Sequence, residues 1–121
     1  MKINDVWETC RQLPGSTDQR QWENDRVFKV AGKMYACTGL KADSPWSVKV
    51  EDHRFLELTD QPGIQPAPYL ARFHWVQIDP VVSHLDDATL RAMLAKSHQL
   101  VVNKLSKKKQ QEIWDNEEAN R

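Results

Sequence analysis

Lysines and tryptophans carry whatever chemistry this sequence offers. Lys29, Lys33 and Lys49 lie on or beside segments that read as β-strands. Lys29 alternates with Phe28 and Val30, so its side chain faces away from the side those two bury, and Lys49 stands in the same relation to Val48 and Val50. The register of the turn before Lys33 decides whether it joins them. A sheet face carrying lysines can hold phosphates, a contact that needs charge and no base sequence; the alternative is an ordinary solvated sheet face. A second basic cluster, Lys104 with Lys107, Lys108 and Lys109, falls at the junction of two expected helices. There it can meet the carbonyl end of the preceding helix, a phosphate or an acidic partner. Five tryptophans, Trp7, Trp22, Trp46, Trp75 and Trp114, are interleaved with these cations. Indoles so placed can stack on bases or pack in a core, and Trp46, just after Ser44-Pro45, is the one expected at the surface.

Other chemistries lack their residues. His53, His74, His84 and His98 have no partner at zinc-ligand spacing, and Cys10 and Cys37 form no C-x-x-C pair. Both cysteines are expected as free thiols filling small apolar sites. The four glycines are scattered, so no phosphate-binding glycine loop is present, and neither a G-x-S-x-G elbow nor an H-E-x-x-H pair occurs. Cys10 with a distant histidine would make a nucleophile and base, but it sits on the apolar stripe of its helix, where packing explains it better. The paired acids Glu51-Asp52 and Asp86-Asp87 fall where helix caps are expected. The expectation is a protein without catalytic residues, metal or cofactor.

The elements that position these residues follow from pattern. Residues 4–13 predict a helix capped by Asn4, with Ile3, Val6, Cys10 and Leu13 on one face, ended by Pro14-Gly15. Strands are expected over 17–22, 27–30, 33–37 and 46–50, with Ala31-Gly32 as a turn, in an antiparallel meander. Residues 52–60 predict a short helix capped by Asp52 with Phe55 and Leu58 inward. Pro62, Gly63, Pro66 and Pro68 make 61–68 a loop. A fifth strand covers 74–79. A long helix over 86–105 starts at Asp86-Asp87 and carries Leu90, Met93, Leu94, Ser97, Val101 and Leu105 inward. Ser106 caps a last helix running toward Trp114. The order α-β-β-β-β-α-β-α-α predicts an α+β fold with helices packed on an antiparallel sheet of about five strands.

The 121 residues are one domain's worth, with 40% hydrophobic and 28% charged residues, enough for a core and a soluble surface. No interdomain linker interrupts them, so 1–121 is read as a single domain with 115–121 a frayed acidic tail. No apolar run reaches membrane-helix length and the N-terminus lacks a signal-peptide pattern, so a cytoplasmic protein is expected. Net charge is zero, yet the charges are segregated, with only cations over 91–111 and an acidic excess after them, so that a neutral chain can still hold a local positive field.

Several segments, in order, resemble the MmcQ/YjbR family: Pro14-Gly15 after the first helix; Phe28-Lys29-Val30-Ala31-Gly32-Lys33-Met34-Tyr35-Ala36; Ser47-Val48-Lys49; Pro68-Tyr69-Leu70-Ala71-Arg72-Phe73-His74-Trp75-Val76; Ser97-His98-Gln99-Leu100-Val101; and Leu105-Ser106-Lys107-Lys108. The resemblance covers about residues 4–114 and contains no catalytic motif. It implies a frataxin-like (CyaY-like) α/β fold and a DNA-binding role. It also implies that Lys29, Lys33, Lys49 and Arg72 occupy the family's basic positions and Trp75 its aromatic one. Two departures are His98, where a tyrosine is usual, and Arg72, where a lysine is common. Iron binding of the frataxin kind is not expected, because the first helix offers only Asp5 and Glu8 and a hard cation needs more oxygen ligands. The first functional expectation is therefore a non-enzymatic protein that binds DNA weakly and without sequence preference. The alternative is a protein-interaction module using apolar surface around the proline-rich loop.

Overall fold

A computed structural model describes residues 1–22 and 24–119. Helix α1 (Ile3–Arg11) leads into strands β1 (Ser16–Gln21), β2 (Asp25–Val30), β3 (Lys33–Thr38) and β4 (Trp46–Lys49). A 3₁₀ turn (Asp52–Arg54) and helix α2 (Phe55–Thr59) follow, then strand β5 (Ile64–Pro66), a second 3₁₀ turn (Ala71–Phe73) and strand β6 (Trp75–Ile78). Helices α3 (Asp87–Val102) and α4 (Lys107–Ala119) close the described chain. The six strands form one antiparallel sheet in the order β1-β2-β3-β4-β6-β5. This is the expected α+β architecture with one strand more than the pattern predicted. Among the described residues no helix is long and apolar enough to cross a membrane.

The added strand is β5, inside the segment read as a loop. It lies at the sheet edge, paired only with β6, and that is where a sheet tolerates Pro66. Ile64 anchors it by burial. Gly63 before it has φ 80°, and a Cβ there would stand 2.5 Å from the Ser83 backbone nitrogen. Only glycine lets these two backbones approach so closely.

The β2–β3 hairpin turns on two residues, Ala31 (φ 49°) and Gly32 (φ 77°), flanked by the pair Val30 and Lys33. Positive φ at both centres is what a type I′ turn requires. The N-cap of helix α1 is Lys2, not Asn4: the Asp5 carboxylate accepts the Lys2 backbone N–H at 3.1 Å and fixes the first turn. Asp86 caps α3 as expected, accepting the Thr89 N–H at 2.8 Å, and Ser106 accepts the Lys109 N–H at the start of α4. The expected helix over 52–60 is split between the 3₁₀ turn and α2, and the Asp52 carboxylate pairs with His74 Nδ1 at 2.5 Å and does not cap. Helix α4 extends through Ala119, into the segment expected as an acidic tail; residues 120–121 lie outside the described ones.

Helices α1 and α3 cover one sheet face. Val6 and Cys10 of α1 and Leu90, Met93 and Leu94 of α3 are buried with Phe28, Tyr35, Val48 and Val76 of the strands. A smaller cluster, Val30, Val102 and Ile113, seats α4. Val102, not Val101, is the buried residue at the end of α3. Trp46 reverses its expectation. It is 1% exposed, because its alternation with Val48 and Val50 places it on the helix-covered face beside Thr38 and Ile78. Trp22 and Trp114 are the exposed indoles.

The β3 strand carries one extra residue near Tyr35, where the β2–β3 register shifts. The β3–β4 pairing stops there at Ala36 and Val48. Ser97 of α3 fills the gap: its hydroxyl donates to the Tyr35 carbonyl at 2.6 Å and accepts the Lys49 N–H at 3.0 Å.

Candidate functional site

Five structural features meet at one end of the sheet: the β2–β3 turn, the end of β4, the start of β6, the end of α3 and the start of α4. The antiparallel pairs Val30–Lys33 and Lys49–Trp75 place the first three side by side. Every basic residue singled out from the sequence lies on or directly beside these features. They form a rim around the sheet end, not a single basic face.

Lys29 and Lys49 occupy the sheet face opposite α1 and α3, as their alternation predicted. Lys33 does not join them. It pairs with Val30, whose side chain is buried against Val102 and Ile113, so Lys33 points to the helix side. On that side Lys109 lines a shallow hollow with Gly32, the residue before Lys33, and with Glu112. Lys107, Lys108 and Lys109 open α4, where the helix dipole is positive, and no acid stands in that first turn. The field of the helix thus adds to that of the lysines.

Lys49 links the two sides. Its Nζ donates to the Phe73 carbonyl at 2.5 Å. Partial burial and the nearby Lys104 charge lower its pKa, and Asp52 opposes them. An incoming anion would relieve that repulsion. Arg72 is exposed, with its guanidinium 4.7 Å from the Phe73 ring centre. Trp75, at the family's aromatic position, is only 6% exposed, at the start of β6 opposite Lys49.

Several basic side chains are held by acids away from the rim. Arg11 and Arg26 both pair with Asp18, Lys2 with Asp43, and Arg54 with Glu57. Burial alone would push the Asp18 carboxyl up, but the hydrogen bonds and charges of Arg11 and Arg26 outweigh it and hold the carboxyl below its ordinary value. Among the described residues, no acidic side chain forms an ion pair with Lys29, Lys33, Lys49, Arg72, Lys104, Lys107, Lys108 or Lys109. The rim keeps its charge available. Also among the described residues, no three His, Cys, Asp or Glu side chains converge as a metal ligand set.

His98 is a packing residue. Its Nε2 donates to the Pro14 carbonyl at 2.6 Å, and its ring stands edge-on to Tyr35 at 5.2 Å. The Tyr35 hydroxyl in turn donates to the Cys10 carbonyl and receives the Ser16 hydroxyl. Burial lowers the imidazole pKa against the pull of the Pro14 carbonyl.

Sequence reasoning missed a groove of about 540 Å³ on the uncovered sheet face. Trp22 and Tyr69 stand at its lips and Met34, Cys37, Ser47 and Gln77 line it. Its residues come from four strands and the three connections β1–β2, β3–β4 and β5–β6, and no local pattern brings them together. The positive φ of Trp22 (53°) and Tyr69 (66°) leaves no mark on composition either.

Three comparisons bear on identity. A family model described as YjbR matches residues 11–100. An uncharacterized protein, YbdF, from Escherichia coli O157:H7 is 28% identical over 89 residues, which cover 72% of each chain. A crystal structure of a protein from Pseudomonas syringae, solved by a structural genomics consortium, superposes with a TM-score of 0.69 at 21% identity. It covers 83% of this chain and 98% of the other. That likeness shows a shared fold.

Proposed function

The chain belongs to the YjbR family, and from that premise we propose that it is a cytoplasmic, non-enzymatic DNA-binding protein whose basic rim contacts phosphates. The observation that carries this reading is the gathering of cations at one end of the sheet: among the described residues the rim cations make no ion pair, while Arg11, Arg26, Lys2 and Arg54 are paired. Phosphate contacts of this kind position a protein without reading bases. With the buried Trp75 unable to stack and a net charge of zero, the binding is weak, salt-sensitive and indifferent to sequence.

Fluorescence anisotropy of a labelled random duplex, at low and near-physiological salt, tests it. Binding should weaken steeply with salt, and it should be weaker, with a flatter salt dependence, when Lys29, Lys33 and Lys49 are changed together to alanine. The competing reading, a protein-interaction module, draws on the exposed Tyr69 and Phe73 beside the proline-rich segment. Absence of DNA binding by folded protein at low salt would select it.

A further inference from the structure

The groove on the uncovered sheet face lies over the cross-strand row Val27, Cys37, Ser47 and Gln77, one row in from Lys29 and Lys49. Its volume, about 540 Å³, is in the range of small-molecule sites. Trp22 is 61% and Tyr69 98% exposed, large aromatic surfaces to leave in water. Both hold left-handed backbone conformations, φ 53° and 66°, which side chains of this size rarely adopt. Strain of that kind concentrates at ligand clamps.

The charge of the groove selects its ligand. Asp25 lines it, and no lysine or arginine does. Among the described residues the Asp25 carboxylate makes no hydrogen bond or ion pair. Its field reaches Cys37, where burial first and Asp25 second push the thiol up. A phosphate or carboxylate would meet the Asp25 charge here and find no cation among the lining residues. A positive group would meet both the carboxylate and the negative faces of the two rings.

We propose that the groove between Trp22 and Tyr69 binds a small organic cation, an ammonium group carried on an apolar body. Trp22 and Tyr69 flank the charge, Asp25 neutralises it, and Met34 and Leu70 take the apolar part. The site goes beyond the DNA reading and shares no residue with it.

The test is an NMR titration of the full chain, ¹⁵N-labelled, with benzyltrimethylammonium. Benzyl alcohol and phenylacetate serve as neutral and anionic counterparts. The cation should give saturable shifts at the Trp22 indole N–H and at the Met34, Cys37 and Ser47 amides. W22A, Y69A and D25N should each weaken it about tenfold, the loss expected for one cation–π or charge contact. A Lys29 and Lys49 double alanine variant should bind it unchanged. Tyr69 is almost wholly exposed, so Y69A keeps the test sound if D25N or W22A fails to fold. Equal shifts from benzyl alcohol, shifts from phenylacetate, or no shifts from the cation at millimolar concentration would each overturn the proposal.

Discussion

The hydroxyl of Ser97 donates to the carbonyl of Tyr35 at 2.6 Å, joining residues 62 positions apart in sequence. The same oxygen accepts the Lys49 N–H at 3.0 Å. A helix side chain thereby completes a sheet ladder that the extra residue on β3 interrupts. The bond also fixes the backbone of Lys49, the residue that joins the two sides of the basic rim. Replacing Ser97 with alanine strands the buried Tyr35 carbonyl and the part-buried Lys49 N–H, and a buried group left without a partner costs about 1–3 kcal/mol. The S97A protein should be destabilised by about 2 kcal/mol or more, measured by urea unfolding. A loss within error of zero would contradict this role.

His98 makes stability depend on pH near neutrality. Its folded-state pKa is lowered from the ordinary 6.5, chiefly by burial. The unfolded chain therefore takes up the proton first, so this contribution is complete above about pH 6.5 and is lost as pH falls toward the folded value. Asp18 and Asp86, both held below the ordinary carboxylate value of 3.8, act only at lower pH. Urea unfolding across pH 5 to 7.5 should show stability declining on the acid side. In H98Q, which keeps a donor for Pro14, the decline should disappear. An unchanged slope in H98Q would place its origin elsewhere.

Gly63 should tolerate no side chain. In G63A the new Cβ meets the backbone of Ser83 and cannot be relieved by rotating a side chain. We expect a loss of about 2 kcal/mol or more, from the strain of positive φ and the clash together. Thermal unfolding beside G32A provides the comparison. Nothing lies within 4 Å of a Cβ at Gly32, so G32A carries the φ strain alone and should lose less.

The two thiols should be slow at neutral pH. Burial pushes Cys37 up to about 11 and Cys10 up to about 12. Cys37, which is half-buried, should react with a disulfide reagent as pH rises, while Cys10 should react only on unfolding. Rapid labelling of both at pH 7 in folded protein would refute the burial described.

Much of this fold is legible in the sequence where the signal is local. Alternation around Phe28, Val30, Val48 and Val50 marks β2 and β4 and assigns Lys29 and Lys49 to one face. The 3.6-residue spacing from Leu90 to Ser97 marks α3 and its cap at Asp86. Non-local features are hidden. Pro66 reads as a loop because nothing nearby says its strand will be an edge. Trp46 follows a proline and reads as exposed, although its alternation with Val48 already pointed inward. The face of Lys33 depends on the hairpin register. Trp22 and Tyr69 belong to distant turns, and only the folded sheet brings them to one groove.

The central claim is that the basic rim contacts phosphates, and the salt dependence of DNA binding tests it most directly. The slope of log affinity against log salt should be steep for the native protein. It should flatten by about 0.9 for each phosphate contact removed, so by up to about 3 in the Lys29, Lys33 and Lys49 triple alanine variant. An identical slope in that variant would contradict the claim, as would no binding by folded native protein at low salt.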